Sequence, residues 1–218
     1  IANDGIWVAY QPQIDVETGE IHGYEALMRL KNTKVSPAQF IPIAEETGQI
    51  IKIDRILTEK VVRQMAEWRE HGIPLYKVSI NYSYSQVSDV HYVDFLEELL
   101  KRYNIPPELI CIEITESLFI SNKEAVSKLL NEFVKRGISL ALDDFGTGYS
   151  SLSYLTFLPI NVVKIDKSLV DNYLSNEKGD FIKNIVRLVH SLAMKLTVEG
   201  VEHQWQNEKL KTFHCDYI

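Results

Sequence analysis

Short apolar segments recur along the chain, either alternating with polar residues or continuous, and they predict seven β-strands. The first two segments are joined by Glu17-Thr18-Gly19, which has the length and composition of a hairpin turn, so they should pair antiparallel. The later segments are separated by helical stretches, as in βα units, which predicts parallel neighbours. The predicted strands are residues 6–16, 20–30, 76–84, 109–117, 138–143, 161–166 and 196–201.

Between the strands, apolar residues recur at the spacing of one face of an α-helix. The segment 37–46 begins with Ser36-Pro37, a capping residue followed by proline at the first helical position. The segment 54–70 carries Val61, Met65 and Trp68 at helical spacing and ends before Gly72. The predicted helices are residues 37–46, 54–70, 90–103, 123–136, 179–194 and 204–213.

This alternation of strands and helices predicts a single α/β domain over residues 1–218, because no low-complexity linker interrupts it. An open sheet and a barrel are both compatible with the alternation. No glycine-rich nucleotide fingerprint or P-loop follows a strand. Most strands instead carry a polar residue near their C-terminal end, where (β/α)8 barrels build their sites. We therefore predict a TIM-type (β/α)8 barrel with an antiparallel first strand.

The composition, 45% hydrophobic and 24% charged residues, is that of an ordinary globular domain. The net charge of −7 argues against a partner that is a nucleic-acid polymer, although bound metals could reverse the local charge for a small anionic ligand. No membrane-spanning run or signal peptide is evident, so we expect no direct membrane contact. Cys111 and Cys215 are isolated, which favours a cytoplasmic domain, and the abrupt chain ends favour a piece of a larger protein.

Six of the predicted strands place a polar or charged residue on the face opposite their apolar residues. Glu113 lies between Ile112 and Ile114, for example, and the other strands repeat this arrangement. A strand covered on both faces should be almost wholly apolar, and burying such groups without partners would cost on the order of several kcal/mol each. The six residues are Glu25, Asn81, Glu113, Asp143, Lys164 and Glu199.

A set this rich in carboxylates is typical of a site for hard cations such as Mg²⁺ or Mn²⁺. Asp144, next to Asp143, adds enough carboxylates for two metals that share one ligand, an arrangement suited to in-line displacement at phosphorus. Two other interpretations stay open. The six residues could form an ion-pair network in the barrel core, and Asp143-Asp144 could be an acidic strand-to-helix turn with Asp144 as a cap.

The same residues lie in motifs that resemble the EAL domain, a family of cyclic di-GMP phosphodiesterases. The motif that names the family stands here as Glu25-Ala26-Leu27 and is followed by Met28-Arg29. The resemblance covers almost the whole chain. Further matching segments, in order, are residues 10–12, 40–45, 79–83, 113–117, 143–152, 163–166, 199–202 and 215–216.

The resemblance implies hydrolysis of cyclic di-GMP to linear pGpG with two divalent cations, Mg²⁺ or Mn²⁺, and inhibition by Ca²⁺. It implies that one metal is held by Glu25, Asn81, Glu113 and Asp143, and the other by Asp143, Asp144 and Glu199. Lys164 is similar to the residue that positions or deprotonates the attacking water, and its pKa should fall beside two cations. Glu199 and Glu202 complete the implied catalytic set, Glu202 acting through bound water.

The resemblance also implies that Gln11, Leu27 and Arg29 contact the substrate, Arg29 through a phosphate oxygen. Glu116 is similar to a residue that steadies the loop 145–151. In the family this loop is implicated in dimer contacts, so the resemblance also implies a homodimer. The family pattern continues with a Gln-Gly-Tyr segment where this chain ends, so we expect a barrel without its last strand and helix. We also expect further domains in the parent chain. A cyclic di-GMP receptor with weak catalysis is the alternative function, and a protein-interaction domain without a nucleotide role is a third.

Overall fold

The computed structural model describes residues 5–119, 123–147, 152–175 and 180–218, and these contain one seven-stranded sheet. The strands follow one another in sequence order, and the first pair is antiparallel while every later neighbouring pair is parallel. They are β1 (Ile6–Ile14), β2 (Ile21–Leu30), β3 (Lys77–Tyr82), β4 (Ile110–Thr115), β5 (Ser139–Phe145), β6 (Val162–Ile165) and β7 (Lys195–Val198). Each predicted strand is confirmed, with ends that differ by at most three residues.

The last residues of the chain join the two edges of this sheet. Tyr217 bridges Thr197 of β7 in parallel and Asp15, next to β1, in antiparallel fashion. The backbone nitrogen of Ile14 donates to the carbonyl oxygen of Ile218 at 2.8 Å. The sheet therefore curls into a barrel-type α/β fold with an antiparallel first strand, which confirms the predicted architecture.

The described residues form eight α-helices, and none of these is long and apolar enough to span a membrane. The predicted helix at 54–70 begins a turn earlier, at Ile50, and that at 90–103 begins at Tyr92. The helices are α1 (Pro37–Glu46), α2 (Ile50–Glu70), α3 (Tyr92–Tyr103), α4 (Lys123–Lys135), α5 (Leu152–Phe157), α6 (Lys167–Tyr173), α7 (Asp180–Ser191) and α8 (Gln204–Thr212).

The short helices α5 and α6 were not predicted, because six or seven residues are too few to show helical periodicity. Asp166 directly follows β6 and is the N-cap of α6, where its carboxylate accepts a hydrogen bond from the backbone nitrogen of Ser168 at 2.8 Å.

The alternation along the parallel strands separates a hydrophobic shell from a polar interior. Ile112 and Ile114 of β4, for example, belong to one continuous cluster of buried apolar residues that also includes residues of α2, α3, α4 and α7. The opposite face of the strands encloses an interior that is almost filled by side chains and leaves a cavity of only about 10 Å³. Its lining includes Ser79, Cys111, Glu113, Ala141, Lys164 and Thr197.

Gly23 of β2 is a position where the sheet leaves no room for a side chain. A Cβ atom there would lie 2.7 Å from the carbonyl oxygen of Lys77, its register partner on β3. We expect Gly23→Ala to push these strands apart and to lower the free energy of unfolding by about 1–3 kcal/mol. Thermal melting by circular dichroism should show a drop of roughly 2–4 °C per kcal/mol. The exposed Ile21 of the same strand, changed to alanine, is the control, and equal melting temperatures for the two variants would contradict the prediction.

Candidate functional site

The side chain of Lys164 lies at the centre of the site, on β6, and only 1% of it is exposed. Its neighbours Val163 and Ile165 belong to the hydrophobic shell, so the lysine points into the barrel. Its ammonium group contacts one carboxylate each from β2, β4, β5 and the loop after β7. The contacts of Nζ are with Glu25 Oε2 at 3.0 Å, Glu113 Oε2 at 2.5 Å, Asp143 Oδ1 at 3.3 Å and Glu199 Oε1 at 2.8 Å.

Asn81 joins this cluster from β3, because its amide nitrogen donates to Glu25 Oε1 at 3.0 Å. The register of the sheet explains why Asn81 lies in this cluster. Asn81 pairs with Glu113 of β4, and paired residues of neighbouring strands lie side by side. The structure therefore brings together all six polar residues that were predicted to point inward. The side chains form the ion-pair network that was one of the alternatives, with Lys164 as its cation.

Asp144 reaches the same region although it follows Asp143 directly. Its backbone has a φ of 55°, and the register of β5 and β6 shifts between Leu142 and Phe145. Strand alternation is broken there, so two consecutive carboxylates can serve one site. Within the described part of the chain, Asp144 belongs to β5 and lines a cavity, which favours a site residue over a helix cap.

Negative charge is in excess in this cluster. Asp144 and the four carboxylates around Lys164 face one ammonium group. Burial raises the pKa of Glu113, Asp143, Asp144 and Glu199, and repulsion by neighbouring carboxylates raises it further. Burial alone would lower the pKa of Lys164, but the surrounding carboxylates outweigh it and raise that pKa. The lower lysine pKa expected beside two cations stays a prediction.

The donor atoms of the cluster suit a hard divalent cation, since they are carboxylate oxygens and one amide. Glu113 Oε1 is buried and has no hydrogen-bond partner among the described residues, so it has lone pairs to offer. Within those residues, no three carboxylate, imidazole or thiol groups are arranged to hold a metal ion. Lys164 Nζ lies where the carboxylates converge, so binding of a cation requires this side chain to shift.

Two cavities meet at Leu27, which lines both of them. The first has a volume of about 720 Å³ and extends from the strand ends to α1 and α2; we call it the α2-side cavity. Its lining includes Arg29, Asp54, Asn81, Ser83, Glu113 and Asp144. The second has a volume of about 570 Å³ and extends along β1; we call it the β1-side cavity. Its lining includes Gln11, Glu25, Asp143, Lys167, Glu199 and Glu202.

The residues predicted to contact substrate are divided between these cavities. Gln11 lies in the β1-side cavity, in register with Glu25, and Leu27 lies at the junction. Arg29 lies in the α2-side cavity, where one guanidinium nitrogen donates to the carbonyl oxygen of Met28 at 2.9 Å. Their contacts with substrate stay predictions.

Glu202 also lines the β1-side cavity, where its carboxylate pairs with Lys167 rather than with Lys164. That hydrogen bond lowers the pKa of Glu202. Glu116 is half-buried directly after β4. Of the loop it was predicted to steady, residues 148–151 lie outside the described residues, so the anchoring and the homodimer stay predictions.

Asp54 of α2 was not predicted as a site residue, although it lines the α2-side cavity and is only 5% exposed. Burial and the charge of Glu45 raise its pKa to about 8. Its carboxyl has no hydrogen bond or ion pair within the described part of the chain. Helical periodicity assigned this stretch to the core. The available signal was an acidic residue among the apolar positions Ile50, Ile53 and Leu57.

Comparison with known proteins gives three concordant similarities. Signaling protein YkoW of Bacillus subtilis is 36% identical over 222 residues, which cover 100% of this chain and 28% of YkoW. Cyclic di-GMP phosphodiesterase PdeR of Escherichia coli is 36% identical over 206 residues, or 93% of this chain and 31% of PdeR. A solved structure described as "PaMucR Phosphodiesterase, c-di-GMP complex" aligns with a TM-score of 0.90 and 32% identity, over 98% of this chain and 88% of that chain.

The chain spans less than a third of the length of YkoW and PdeR. The model of the EAL domain matches residues 1–218, which include every site residue named above. With its barrel, its carboxylate cluster and these similarities in agreement, the chain belongs to the EAL domain family.

Proposed function

We propose that this domain hydrolyses cyclic di-GMP to linear pGpG with the help of divalent cations, Mg²⁺ or Mn²⁺. The observation that carries the proposal is the position of the carboxylate cluster where two cavities meet. Asn81, Glu113 and Asp144 line the α2-side cavity, while Glu25, Asp143 and Glu199 line the β1-side cavity. A cyclic dinucleotide has two nucleosides joined by phosphodiesters, so one nucleoside in each cavity would place a phosphodiester at the cluster.

The volumes of the cavities, the similar proteins and the position of Arg29 support this substrate. Each volume lies within the range of about 300–1,000 Å³ that is usual for ligand pockets. PdeR is named a cyclic di-GMP phosphodiesterase, and the similar solved structure is a complex with c-di-GMP. The guanidinium of Arg29 in the α2-side cavity suits a phosphate oxygen, which accepts charged hydrogen bonds well.

The excess negative charge of the cluster supports binding of cations. Glu25, Asn81, Glu113 and Asp143 would hold one ion, and Asp143, Asp144 and Glu199 the other. Bound divalent cations neutralise phosphate charge and make a water molecule easier to deprotonate. Without them, the phosphate of the substrate would be repelled by the carboxylates that surround Lys164.

Lys164 and Glu202 would manage the protons of the reaction. The water oxygen forms a bond to phosphorus, the bond from phosphorus to one ribose oxygen breaks, and that oxygen takes up a proton. Four carboxylates hold Lys164 Nζ in the metal-free site; with cations bound there instead, Lys164 would orient the attacking water and, with its pKa lowered by the cations, accept its proton. Glu202, in the β1-side cavity, would act through a bound water.

Chromatography of the products tests this proposal. The purified protein, cyclic di-GMP and Mg²⁺ or Mn²⁺ should yield pGpG, whereas Ca²⁺ should support binding without turnover. Calorimetric binding with no pGpG in any metal would establish the alternative, a receptor. Neither binding nor turnover, under conditions where PdeR is active, would overturn both functions.

Asp54 provides a separate test of the substrate. We propose that one guanine, which presents an N–H and an NH₂ group side by side, favours the ionised form of this carboxyl group on binding and donates hydrogen bonds to its oxygens. Asp54→Asn replaces one acceptor oxygen by a donor, so we expect cyclic di-GMP affinity, by calorimetry in Ca²⁺, to fall about tenfold or more. Glu46→Gln, a more exposed carboxylate in the lining of the same cavity, is the control. An equal loss for both variants would contradict a guanine-specific role.

The same substitution should stabilise the unliganded protein. The pKa of Asp54 is about 8 in the folded state, above its ordinary value, so the folded form is penalised as pH rises from about 4 to 8. Glu45 on α1, Tyr82 on β3 and Tyr92 on α3 are the titratable groups that interact with it. We expect Asp54→Asn to be more stable by about 1–3 kcal/mol at pH 8 and little changed at pH 4. Urea unfolding at both pH values measures this, and a uniform change would contradict it.

A further inference from the structure

The wall of the α2-side cavity between β3 and α3 is a segment with unsatisfied polar groups. Residues 83–89, here called the β3–α3 segment, contain a 3₁₀ helix at Tyr84–Ser88. Ser83 Oγ and Gln86 Nε2 are buried and have no hydrogen-bond partner among the described residues. Buried polar groups without partners disfavour the conformation that holds them, so other contacts must keep this segment in place.

Two hydrogen bonds of Gln86 help to hold the β3–α3 segment in place. Its side-chain oxygen accepts a hydrogen bond from the backbone nitrogen of Ser83 at 2.7 Å. Its carbonyl oxygen accepts one from the hydroxyl of Tyr82 at 2.9 Å. Both contacts lie within the segment or link it to β3, so they do not set its distance from α2.

An ion pair supplies that link to α2. Arg55 Nε donates to Asp89 Oδ2 and Arg55 Nη2 donates to Asp89 Oδ1, both at 2.7 Å. This bidentate geometry is the strong form of the arginine–carboxylate pair. The guanidinium also lies 4.8 Å from the ring centroid of Phe95 on α3, and the Asp89 side chain is only 9% exposed. Arg55 therefore links α2 both to the β3–α3 segment and to α3.

The position of Arg55 in the chain connects this pair to the cavity. The preceding residue, Asp54, lines the α2-side cavity from one side, and Ser83 and Ser85 line it from the β3–α3 segment. A change in the Arg55–Asp89 distance would therefore change the distance between these two walls. Ion pairs with two fixed hydrogen bonds tolerate little change of this kind.

We propose that Arg55 and Asp89 are positioning residues that hold the β3–α3 segment at the distance from α2 at which the cavity binds its ligand. The ligand, one nucleoside of cyclic di-GMP, rests on the function proposed above. Neither residue lines the cavity, so neither touches the reacting atoms. Loss of the pair should weaken binding of the substrate and leave the chemical step unchanged.

Two measurements on Arg55→Lys and Asp89→Asn test this proposal. Hydrogen exchange of the amides of residues 83–92 should be faster by roughly three- to tenfold in Asp89→Asn, and by less in Arg55→Lys, which keeps the charge but loses the bidentate geometry. In hydrolysis of cyclic di-GMP, KM should rise by a similar roughly three- to tenfold while kcat stays within about twofold. Asp94→Asn breaks a different pair, with Arg136 directly after α4, and should change neither quantity.

The two measurements separate the structural role of the Arg55–Asp89 pair from its role in ligand binding. Unchanged exchange in Asp89→Asn would overturn the structural link itself, and faster exchange with an unchanged KM would overturn its role in binding. A fall in kcat alone would also contradict the proposal. The exchanged pair Arg55→Asp with Asp89→Arg should recover part of the protection, which no general loss of stability would do. If the wild-type protein neither binds nor cleaves cyclic di-GMP, the proposed function fails, while the exchange data still decide whether the pair holds the segment.

Discussion

Replacing Lys164 by methionine is expected to lower turnover of cyclic di-GMP by about 100- to 10,000-fold, the usual contribution of a general base. It should also lower the free energy of unfolding of the metal-free protein by about 3–5 kcal/mol, because it leaves buried carboxylates without a counter-charge. Glu25, Glu113, Asp143 and Glu199 all contact the ammonium that this variant removes. Methionine has a similar length and is apolar, so packing is altered little.

Addition of Mg²⁺ separates the two effects of this substitution. If the carboxylates bind cations, Mg²⁺ should raise the melting temperature of Lys164→Met more than that of the wild type, without restoring turnover. The cation replaces the missing positive charge but cannot exchange a proton with water at Nζ. Lys135→Met, which removes an exposed lysine paired with Glu132 on α4, is the control. A melting temperature that does not respond to Mg²⁺ in either protein would contradict cation binding by this cluster.

Replacing Asp143 by asparagine is expected to lower turnover by on the order of 100- to 1,000-fold. Metal ions contribute several kcal/mol to phosphoryl chemistry, and each tenfold in rate is 1.36 kcal/mol. Asp143 is the residue that the family resemblance assigns to both ions. Unlike Lys164→Met, this variant removes a carboxylate from a cluster with excess negative charge, so the metal-free protein should not be destabilised.

Steady-state kinetics and calorimetric titration with Mn²⁺ measure the two consequences of Asp143→Asn. Turnover and Mn²⁺ affinity should fall together, while urea unfolding without metal shows an unchanged or higher stability. Asp171→Asn, at an exposed position of α6, provides the control. Unchanged Mn²⁺ affinity would contradict the assignment of Asp143 to the metal site, and full activity would contradict its role in turnover.

The strands and the polar residues on them were predictable from the sequence. Period-two alternation identifies which side of each strand is apolar, so Glu113 and Lys164 could be assigned to the inner face without knowing their neighbours. The family motifs then connected these residues to a chemistry. Short helices such as α5 and α6 were missed, since a segment of less than two turns has almost no periodic signal.

Contacts between distant residues were beyond the sequence argument. Asp54 lies in a helix whose periodicity indicates a core element, and its exposure to a cavity depends on how α2 packs over the strand ends. The Arg55–Asp89 pair joins residues 34 positions apart. The left-handed backbone of Asp144 follows from the register shift of β5, which no local pattern announces.

The sequence alone determined the order of the strands, the inward polar set and the family, because these follow from local periodicity and from motifs. Only the tertiary structure decided that four carboxylates surround Lys164, because that arrangement depends on strand register and on closure of the sheet through Tyr217. It also decided that the cluster lies between two cavities. Cavities arise from the packing of helices against strand ends, which no single segment encodes.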